Sequence, residues 1–375
     1  MSRFDVVVCG LGAMGSAALR ELSRRGLRVL GIERFTPGHD RGSSHGATRI
    51  IRLGYFEHPS YVPLLRRAYE LWRELEELSG RKLLQITGIA EIGPPGGALI
   101  RGVLASVSAH ALRHELLSAE ELMHRFPAFR LPPQYTAVVQ PDGGFLAAEP
   151  SIHTMLALAK NAGAEIRTGE TIRNIEPSST GVRIITDQAR IDAGAAVIAV
   201  GPWINSLLPN LRAPLRVTRQ VMAWFAPGNP ELFQPGRFPV FILESRHDTH
   251  YGFPLDGDGL VKIAKHHHRD ETVDPETYDR TISIADESVI RAALVEHLPG
   301  ANARLATATS CLYTVAPDGD FVIDSLPGHP HVVIASPCSG HGFKFAPVIG
   351  EILADLVTRC PQRHEIGRFA LKRFA

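Results

Sequence analysis

Cysteine is scarce in this sequence. Four cysteines occur among 375 residues, namely Cys9, Cys311, Cys338 and Cys360. They lie far apart and form no C-x-x-C pair, so neither a disulfide framework nor a zinc site is expected, and a reducing compartment is favoured. Buried packing is the default interpretation of Cys9, Cys338 and Cys360. The residues alone do not distinguish Cys311 from the other three.

The sequence also lacks an excess of charge and a long apolar run. It has 40 Lys and Arg against 39 Asp and Glu, a net charge of +1. This balance gives no support for nucleic acid or a membrane surface as a partner. No apolar run reaches the roughly 18 residues of a membrane span, and the N-terminus has no export signal pattern. We therefore expect a cytoplasmic protein.

A glycine-rich turn follows the first apolar segment. "FDVVVCG" predicts a strand buried on both faces. Gly10, Gly12 and Gly15 then follow in G-x-G-x-x-G spacing, before a predicted helix up to Gly26 and a second strand that ends at Glu33. In such a unit the turn and the helix N-terminus hold a pyrophosphate, and the acid accepts hydrogen bonds from ribose. We predict a dinucleotide site other than NADP, because Glu33 would repel a 2′-phosphate. The motif alone does not separate NAD from FAD.

Later segments favour FAD and two discontinuous domains. A length of 375 residues exceeds one ordinary core. A predicted helix from residue 150 is followed by a small strand meander and an apolar strand that ends at Gly201, which is typical of FAD-binding domains. Residues 216–314 alternate short strands with polar loops. We predict an α/β protein with an FAD-binding Rossmann-like domain (1–85, 148–215 and 315–375) and an α+β substrate-binding domain with a mixed sheet (86–147 and 216–314).

Two cationic segments are candidates for chemistry. If "TRIIR" begins a helical turn, Arg49 and Arg52 lie on one face, where a substrate carboxylate or an electron-rich flavin could pair with them. The alternative is a pair of surface arginines. In "GLVKIAKHHHRD", Lys262 is either exposed at a strand edge or buried for a reason. The three histidines at 266–268 suggest a metal by composition, but neighbouring side chains on a strand point in opposite directions. We therefore expect no metal.

At this point the motifs resemble a known family. "GSSHGATRIIR", "YGFP", "GLVKIAKHH", "CLYTVAPDGDFVID" and "SGHGFKF" together resemble the monomeric sarcosine oxidase family, which includes N-methyltryptophan and pipecolate oxidases. The resemblance covers essentially the whole chain. It implies a monomeric flavin amine oxidase that uses FAD and oxygen on a small amino-acid substrate, releases hydrogen peroxide, and has the two domains predicted above.

The resemblance also implies roles for individual residues. Cys311 corresponds to the cysteine that bonds covalently to the flavin, and Lys262 to the lysine that promotes the reaction with oxygen. Arg52 and Lys344 correspond to the pair that binds the substrate carboxylate. Arg49 and His45 would lie against the flavin ring, and the substrate pocket would be lined by Tyr251, His266 and Tyr313. The expected catalytic residues are Lys262, Arg49, His45 and His266, and the expected cofactor-binding residues are Gly10, Gly12, Gly15, Glu33, Arg34, Ser43, Thr48, Cys311, Gly342 and Lys344.

The preferred substrate is left open between related amines. Sarcosine is the first candidate, with glycine and formaldehyde as products. Ser44 stands where sarcosine oxidases carry a histidine, which is closer to the pipecolate oxidase pattern, and Cys338 is unexpected before the "SGHGFK" turn. L-Pipecolate and N-methyltryptophan are therefore alternatives. A dehydrogenase that passes electrons to a carrier is a further alternative, against which Lys262 argues, and a non-catalytic flavoprotein is a third.

Overall fold

The structure is a computed structural model and describes residues 4–375. Residues 1–3, where the predicted first domain begins, lie outside the described residues. The helices are α1 (Ala13–Arg24), α2 (Val62–Ser79), α3 (Ala98–His110), α4 (Ala119–Arg125), α5 (Ala148–Asn161), α6 (Ile204–Leu207), α7 (Ile284–His297) and α8 (Ala346–Val357). Among the described residues, no helix is both long and apolar enough to cross a membrane.

The strands form three sheets. In chain order they are β1 (Phe4–Cys9), β2 (Val29–Glu33), β3 (Thr48–Ile51), β4 (Leu84–Ile86), β5 (Ile89–Gly93), β6 (Glu115–Ser118), β7 (Thr136–Gln140), β8 (Gly144–Ala147), β9 (Glu165–Thr168), β10 (Ile172–Pro177), β11 (Val182–Thr186), β12 (Arg190–Ile198), β13 (Arg216–Ala226), β14 (Val240–Ser245), β15 (Asp248–Leu255), β16 (Val261–Lys265), β17 (Arg304–Val315), β18 (Val322–Leu326) and β19 (His329–Ser336).

The first sheet is built around β1. Its order is β10-β11-β12-β1-β2-β9, with β19 and β18 beyond β12, and β1 pairs in parallel with both β2 and β12. Val6 and Val8 belong to the core that contains Leu19 and Leu22 of α1. Val7 and Cys9 belong to the core on the opposite face. The sheet is therefore covered on both faces, as the apolar run "VVVC" predicts.

The second sheet contains β5–β7 and β13–β17. Its order is β17-β13-β16-β15-β14-β5-β7-β6. Phe129, Phe238 and Phe241 pack together in its core, which α7 also covers through Ile290 and Leu294. Strands of the first sheet come from within 1–85, 148–215 and 315–375, and those of the second from within 86–147 and 216–315. The exact domain boundaries stay a prediction.

The third sheet is small, with the order β3-β8-β4, and it shows that the helical turn expected at "TRIIR" is wrong. Residues 48–51 form the strand β3 and not a helical turn, because Thr48 to Ile51 pair in antiparallel register with Gly144 to Ala147 of β8. β-Branched Thr48, Ile50 and Ile51 favour this extended backbone. The segment "LLQITGIAEIG" likewise forms two strands, which separate at Gly88 (φ +74°) and enter different sheets.

Candidate active site

A cavity of about 390 Å³ lies between the two large sheets. At one end it is lined by the turn after β1 and by Glu33 at the end of β2. At the other end it is lined by Tyr251 of β15, Cys311 of β17 and the segment after β19. The cavity therefore joins the predicted dinucleotide site to the predicted substrate site. The lining residues that the sequence predicted are Gly10, Gly12, Glu33, Arg34, Ser43, Arg49, Arg52, Tyr251, His266, Cys311, Tyr313, Gly342 and Lys344.

The turn after β1 requires glycine at two positions. Gly10 has φ +86°, and a Cβ there would lie 2.7 Å from the carbonyl oxygen of Ala199. Gly15 lies in the first turn of α1, where the helix packs against the glycine-rich loop. A Cβ on Gly15 would lie 1.8 Å from the carbonyl oxygen of Gly10. Gly12 is the N-cap of α1 and contributes no side chain, and the nearby Ser44 Oγ accepts a hydrogen bond from the Ala13 N–H (3.3 Å). This geometry leaves room for a phosphate at the helix N-terminus.

Glu33 is fixed by the backbone around the turn. The Leu11 N–H donates to its Oε2 (2.8 Å) and the Phe35 N–H to its Oε1 (3.0 Å). Burial opposes its ionisation, but hydrogen bonds from His39 and these N–H groups lower the pKa of Glu33. It is therefore ionised at neutral pH, as an acceptor for ribose hydroxyls must be. The neighbouring Arg34 lines the cavity and pairs with Glu276 (Nη2–Oε2 2.9 Å).

Arg49 is bonded to the loop that precedes it. Its Nη2 donates to the carbonyls of Ser43 (2.9 Å) and His45, and its Nη1 donates to the carbonyl of Thr48 (2.8 Å). Burial and the charge of Arg49 lower the pKa of His45 to about 4, so its imidazole is neutral at pH 7. Within residues 4–375, Ser43 Oγ and His45 Nε2 are buried without a hydrogen-bond partner. The loop therefore offers polar groups that its own chain does not satisfy.

Lys262 is buried in an interior strand rather than exposed at an edge. Its Nζ donates to the carbonyls of Gly46 (2.6 Å) and Thr48 (2.9 Å), and it faces the rings of Trp224 and Phe253. Burial and the charge of Arg49 lower the pKa of Lys262 well below its usual value. Lys262, His45, Thr48 and Gly15 are the predicted site residues that do not themselves line the cavity. The amine lies behind the Gly46–Thr48 backbone and supports it.

Cys311 lies on β17 with its side chain in a small apolar cluster. Met222, Trp224 and Ala264 surround it, and the residue lines the cavity. Burial raises the pKa of the Cys311 thiol, while Arg49 and Lys262 partly offset this effect. Cys338 also lines the cavity, and burial raises the pKa of its thiol to about 11. Two thiols thus border the same space.

Two acids that the sequence did not reveal lie beside Arg52, Glu57 in the cavity lining and Glu91 behind it. Arg52 donates through Nη2 to both oxygens of Glu57 (2.8 and 3.1 Å) and lies 3.6 Å from Glu91 through Nε. Lys344 donates to the carbonyl of His341 (2.7 Å). Burial and the charge of Arg52 lower the pKa of Lys344 to about 7. Burial opposes the ionisation of Glu57, but Arg52, followed by His341 and Lys344, lowers its pKa to about 2.

Aromatic groups line the same cavity as these cations. Tyr251 and Tyr313 line the cavity, and the His266 ring lies 5.6 Å from the Tyr313 ring. Burial and the neighbouring His267 lower the pKa of His266 to about 3, so it is neutral. His341, which the sequence analysis missed, also lines the cavity and shares a hydrogen bond of 2.6 Å between its Nδ1 and the Tyr55 hydroxyl. Its position within the "SGHGFKF" motif could have indicated that it belongs to the site.

The three consecutive histidines lie in a turn after β16, where the alternation expected on a strand does not apply, and the His266 and His267 rings are 4.2 Å apart. His266 faces the main cavity, while His268 shares a 2.9 Å hydrogen bond with Asp286. Within residues 4–375, no group of three His, Cys, Asp or Glu side chains is arranged to hold a metal ion.

Comparison with known proteins identifies the family. Residues 5–356 match the family model described as FAD dependent oxidoreductase. The chain belongs to this family. The cavity fits FAD, because it runs from the glycine turn to Cys311 and includes a buried hydroxyl, Ser43 Oγ, that no described residue satisfies.

Relatives of full length narrow the family further. The monomeric sarcosine oxidase of Streptomyces avermitilis is 40% identical over 376 residues, covering 99% of this chain and 98% of that protein. The N-methyl-L-tryptophan oxidase of Salmonella agona is 36% identical over 375 residues, covering 100% of both. The solved structure of NikD, described as an unusual amino acid oxidase essential for nikkomycin biosynthesis, has a TM-score of 0.86 at 28% identity and covers 98% of this chain and 97% of its own.

These matches test the main predictions from sequence. They confirm the resemblance to the sarcosine oxidase family, the α/β fold with an FAD-binding Rossmann-like domain, and a flavin-dependent amine oxidase. FAD as the cofactor follows from the family. The preferred substrate, a covalent bond to Cys311 and the roles of the individual site residues stay predictions.

Proposed function

We propose that this protein is an FAD-dependent oxidase of secondary amino acids, with sarcosine as the first candidate substrate. The products would be glycine and formaldehyde, formed when water hydrolyses the imine, together with hydrogen peroxide from oxygen. The observation that carries this proposal is that the cations Arg52 and Lys344 line the same cavity as Tyr251, Tyr313 and Cys311. The sequence relatives, which are named for N-methyl amino acids, support the same substrate class.

The proposed carboxylate site combines two different cations. Arg52 presents a planar fork that can bind a carboxylate through two hydrogen bonds. Its Nη2 is engaged by Glu57, so a bound substrate would share or replace that contact. Lys344 has a pKa of about 7, and an anion beside it favours its charged form. Held in this way, the carboxylate orients the amine and its N-methyl carbon for reaction.

The cofactor would extend through the whole cavity. We infer that Gly10, Gly12 and the N-terminus of α1 hold the pyrophosphate and that Glu33 accepts from the ribose, while Arg34, Ser43, Thr48 and Gly342 form further parts of the site. When bound, FAD accepts the equivalent of a hydride from the amine and passes the electrons to oxygen. Cys311 would hold the cofactor through a covalent thioether. His266, neutral at pH 7, would line the substrate without adding charge, and His45, also neutral, would lie behind the loop that faces the flavin.

The use of oxygen rests on the positive charges near the flavin. We infer that Arg49, and Lys262 in its protonated form, favour electron transfer to oxygen, because a cation stabilises negative charge as it develops. Lys262 donates to the carbonyls of Gly46 and Thr48 and does not line the cavity. An amine exposed to the flavin would argue strongly for oxygen as the acceptor. The position of Lys262 behind the loop argues for it less, and so favours the second candidate, a dehydrogenase that passes electrons to a carrier.

A peroxidase-coupled assay tests the proposed activity. Purified holoenzyme is given sarcosine, N-methyl-L-tryptophan and L-pipecolate in parallel. We expect peroxide from sarcosine and a ranking of kcat/KM that names the preferred amine. Higher kcat/KM on L-pipecolate would change the substrate but keep the oxidase. An absence of peroxide from a yellow protein that all three amines leave unreduced would contradict the proposal.

The proposal extends to the oligomeric state and the cellular location of the protein. We propose a monomer in the cytoplasm that meets a small amino acid and oxygen, with no membrane or nucleic acid as partner. The near-zero net charge of +1 supports the last point. Size-exclusion chromatography with light scattering tests the monomer, because a dimer would double the 40.9 kDa mass.

A further inference from the structure

Glu91 is a buried acid that the proposed chemistry does not use. It lies in the middle of β5, between Ile242 of β14 and Val138 of β7, and is 0% exposed. Neither of its carboxyl oxygens has a hydrogen-bond partner within residues 4–375. Its one ion-pair contact there is Arg52 Nε at 3.6 Å. A buried carboxylate with so little compensation is costly, which makes its position beside Arg52 significant.

Buried acids with a purely structural role look different in this chain. Asp286 accepts two hydrogen bonds from Arg219 (2.9 and 3.0 Å) and caps α7 through Ser283. Glu351 accepts two from Arg67 (2.7 and 3.1 Å). These pairs are fully hydrogen-bonded, whereas Glu91 lies beyond hydrogen-bond distance of its cation. A simple stabilising ion pair therefore does not describe Glu91.

Arg52 has carboxylates at two of its edges. Nη1 donates to the Gly54 carbonyl (2.7 Å), Nη2 is held by Glu57, and Nε faces Glu91. Glu57 lines the cavity, whereas Glu91 does not. The contact with Glu57 is therefore open to exchange with a ligand, and the contact with Glu91 is not.

We propose that Glu91 is a positioning residue that controls, through its own protonation state, how readily Arg52 accepts a substrate carboxylate. This inference rests on the proposed function, in which Arg52 binds that carboxylate. A neutral Glu91 leaves Arg52 with Glu57 as its anionic partner, so a substrate can compete for the guanidinium. An ionised Glu91 adds a second buried anion, and an incoming carboxylate would become the third.

The surroundings of Glu91 shift its ionisation towards neutral pH. Burial, reinforced by Glu57, raises the pKa of Glu91 to about 8, although Arg52 and Lys344 oppose the shift. Tyr69 of α2 also lies within electrostatic range of Glu91 and Arg52. Below the raised pKa the carboxyl is neutral and binding of an anionic ligand is favoured. Above it, the affinity for carboxylates falls while the affinity for uncharged ligands stays the same.

The test measures ligand binding rather than turnover. Propionate, a carboxylate without an amine, is titrated into the oxidised holoenzyme, and its Kd is read from the change in flavin absorbance between about pH 7 and about pH 9. We expect the Kd of the wild type to rise about tenfold more than that of Glu91→Gln, because one proton must be taken up for binding. Because Glu91 also raises the pKa of Lys344, the comparison is repeated in the Lys344→Met background, where Glu91 is the group that differs. Propionamide should show no such difference.

Matched variants keep the result interpretable. Glu351→Gln removes a buried acid outside the site and should keep the pH profile of the wild type. If Glu91→Gln fails to fold, Glu91→Met supplies a side chain of similar size that is neutral at every pH and should show the same flattened profile. With sarcosine, Glu91→Gln should change the pH dependence of KM and leave kcat within about twofold.

Each outcome has one meaning. A flattened profile in the Glu91 variants alone supports the role of Glu91. A profile that superimposes on that of the wild type overturns it, while the proposed oxidase is unaffected. If propionate fails to bind the wild type at any pH although sarcosine yields peroxide, both the carboxylate site at Arg52 and the inference about Glu91 are wrong.

Discussion

At the scale of single residues, the four cations near the cavity differ in what they are bonded to. Arg49 and Lys262 donate to backbone carbonyls of the loop between β2 and β3, so these contacts leave their charges unneutralised. Arg52 is paired with carboxylates, and Lys344 has a pKa of about 7. Arg49 is therefore suited to a constant field, whereas the pKa of Lys262 is lowered by burial and by Arg49, so its charge depends on its surroundings. Arg52 and Lys344 are suited to a ligand whose charge they bind.

Arg52→Ala should mainly weaken substrate binding. The loss of one charged bidentate contact corresponds to about 2–3 kcal/mol, or roughly a 30- to 150-fold rise in KM for sarcosine, with Lys344 retaining part of the affinity. Arg52→Lys keeps the positive charge but loses the planar guanidinium, so its KM should lie between those of the wild type and Arg52→Ala. Steady-state kinetics measure the effect, and an unchanged KM in Arg52→Ala would place the carboxylate elsewhere.

Lys262→Met should slow the reaction of the reduced protein with oxygen by orders of magnitude, with reduction by substrate closer to normal. Stopped-flow absorbance separates the two half-reactions. Lys265→Met is the control, because Lys265 follows on the same strand and pairs with Asp248. Equal reoxidation rates in the wild type and Lys262→Met would remove Lys262 from the oxygen reaction and favour the carrier-linked dehydrogenase.

Cys311→Ser should release the flavin. The acid-precipitated wild type should stay yellow, whereas the pellet of the variant should be colourless, with the colour in the supernatant. Cys360→Ser, at an exposed cysteine, should behave like the wild type. A colourless wild-type pellet would rule out a covalent bond, and a yellow Cys311→Ser pellet would direct attention to Cys338.

At the scale of elements, what could be predicted from the sequence depends on the distance along the chain. The β1–α1–β2 unit was predictable because its strand, turn, helix and acid are consecutive. The strand β3 was not predictable, because four residues that include an arginine carry no clear period, and its partner β8 lies about a hundred residues further along the chain. The helix α7 was missed because its apolar residues form only a weak stripe. Glu57 and Glu91 meet Arg52 through folding and through no local pattern.

Gly15→Ala tests the close approach of α1 to the turn. The new Cβ would lie 1.8 Å from a backbone oxygen, so helix and turn must separate. We expect about 1–3 kcal/mol of lost stability and a lower flavin content per chain. Thermal unfolding and the ratio of flavin to protein absorbance measure both effects. Gly96→Ala, with no atom within 4 Å of its Cβ, is the control and should change neither.

At the scale of the whole molecule, the site exists because two sheets meet around one cavity. The glycine turn and Glu33 belong to the first sheet, while Tyr251 and Cys311 belong to the second. Binding of the cofactor should therefore stabilise both together, and without a covalent link this stabilisation grows with the logarithm of the ratio of cofactor concentration to Kd. The sequence indicated the cofactor site and the substrate site separately. Their relative orientation depends on packing between segments that are far apart in the chain.

Acid should destabilise the fold partly through Glu351, which links α8 to α2. Burial opposes ionisation, but hydrogen bonds from His364 and Arg67 lower its pKa to about 2, below the ordinary glutamate value of 4.5. A lowered pKa in the folded state stabilises the protein above about pH 4.5, and this contribution is lost as the pH falls towards 2. Urea unfolding at several pH values should show a shallower acid decline for Glu351→Gln. An equal slope in both proteins would contradict this assignment.

The most direct test of the central claim is an anaerobic titration of the purified protein with sarcosine, followed by air. The proposed function predicts that sarcosine bleaches the flavin absorbance near the visible maximum and that air restores it, with one peroxide formed for each sarcosine oxidised. Bleaching without recovery in air would identify a dehydrogenase. If sarcosine, N-methyl-L-tryptophan and L-pipecolate all left the flavin oxidised, the assignment to secondary amino acids would be wrong.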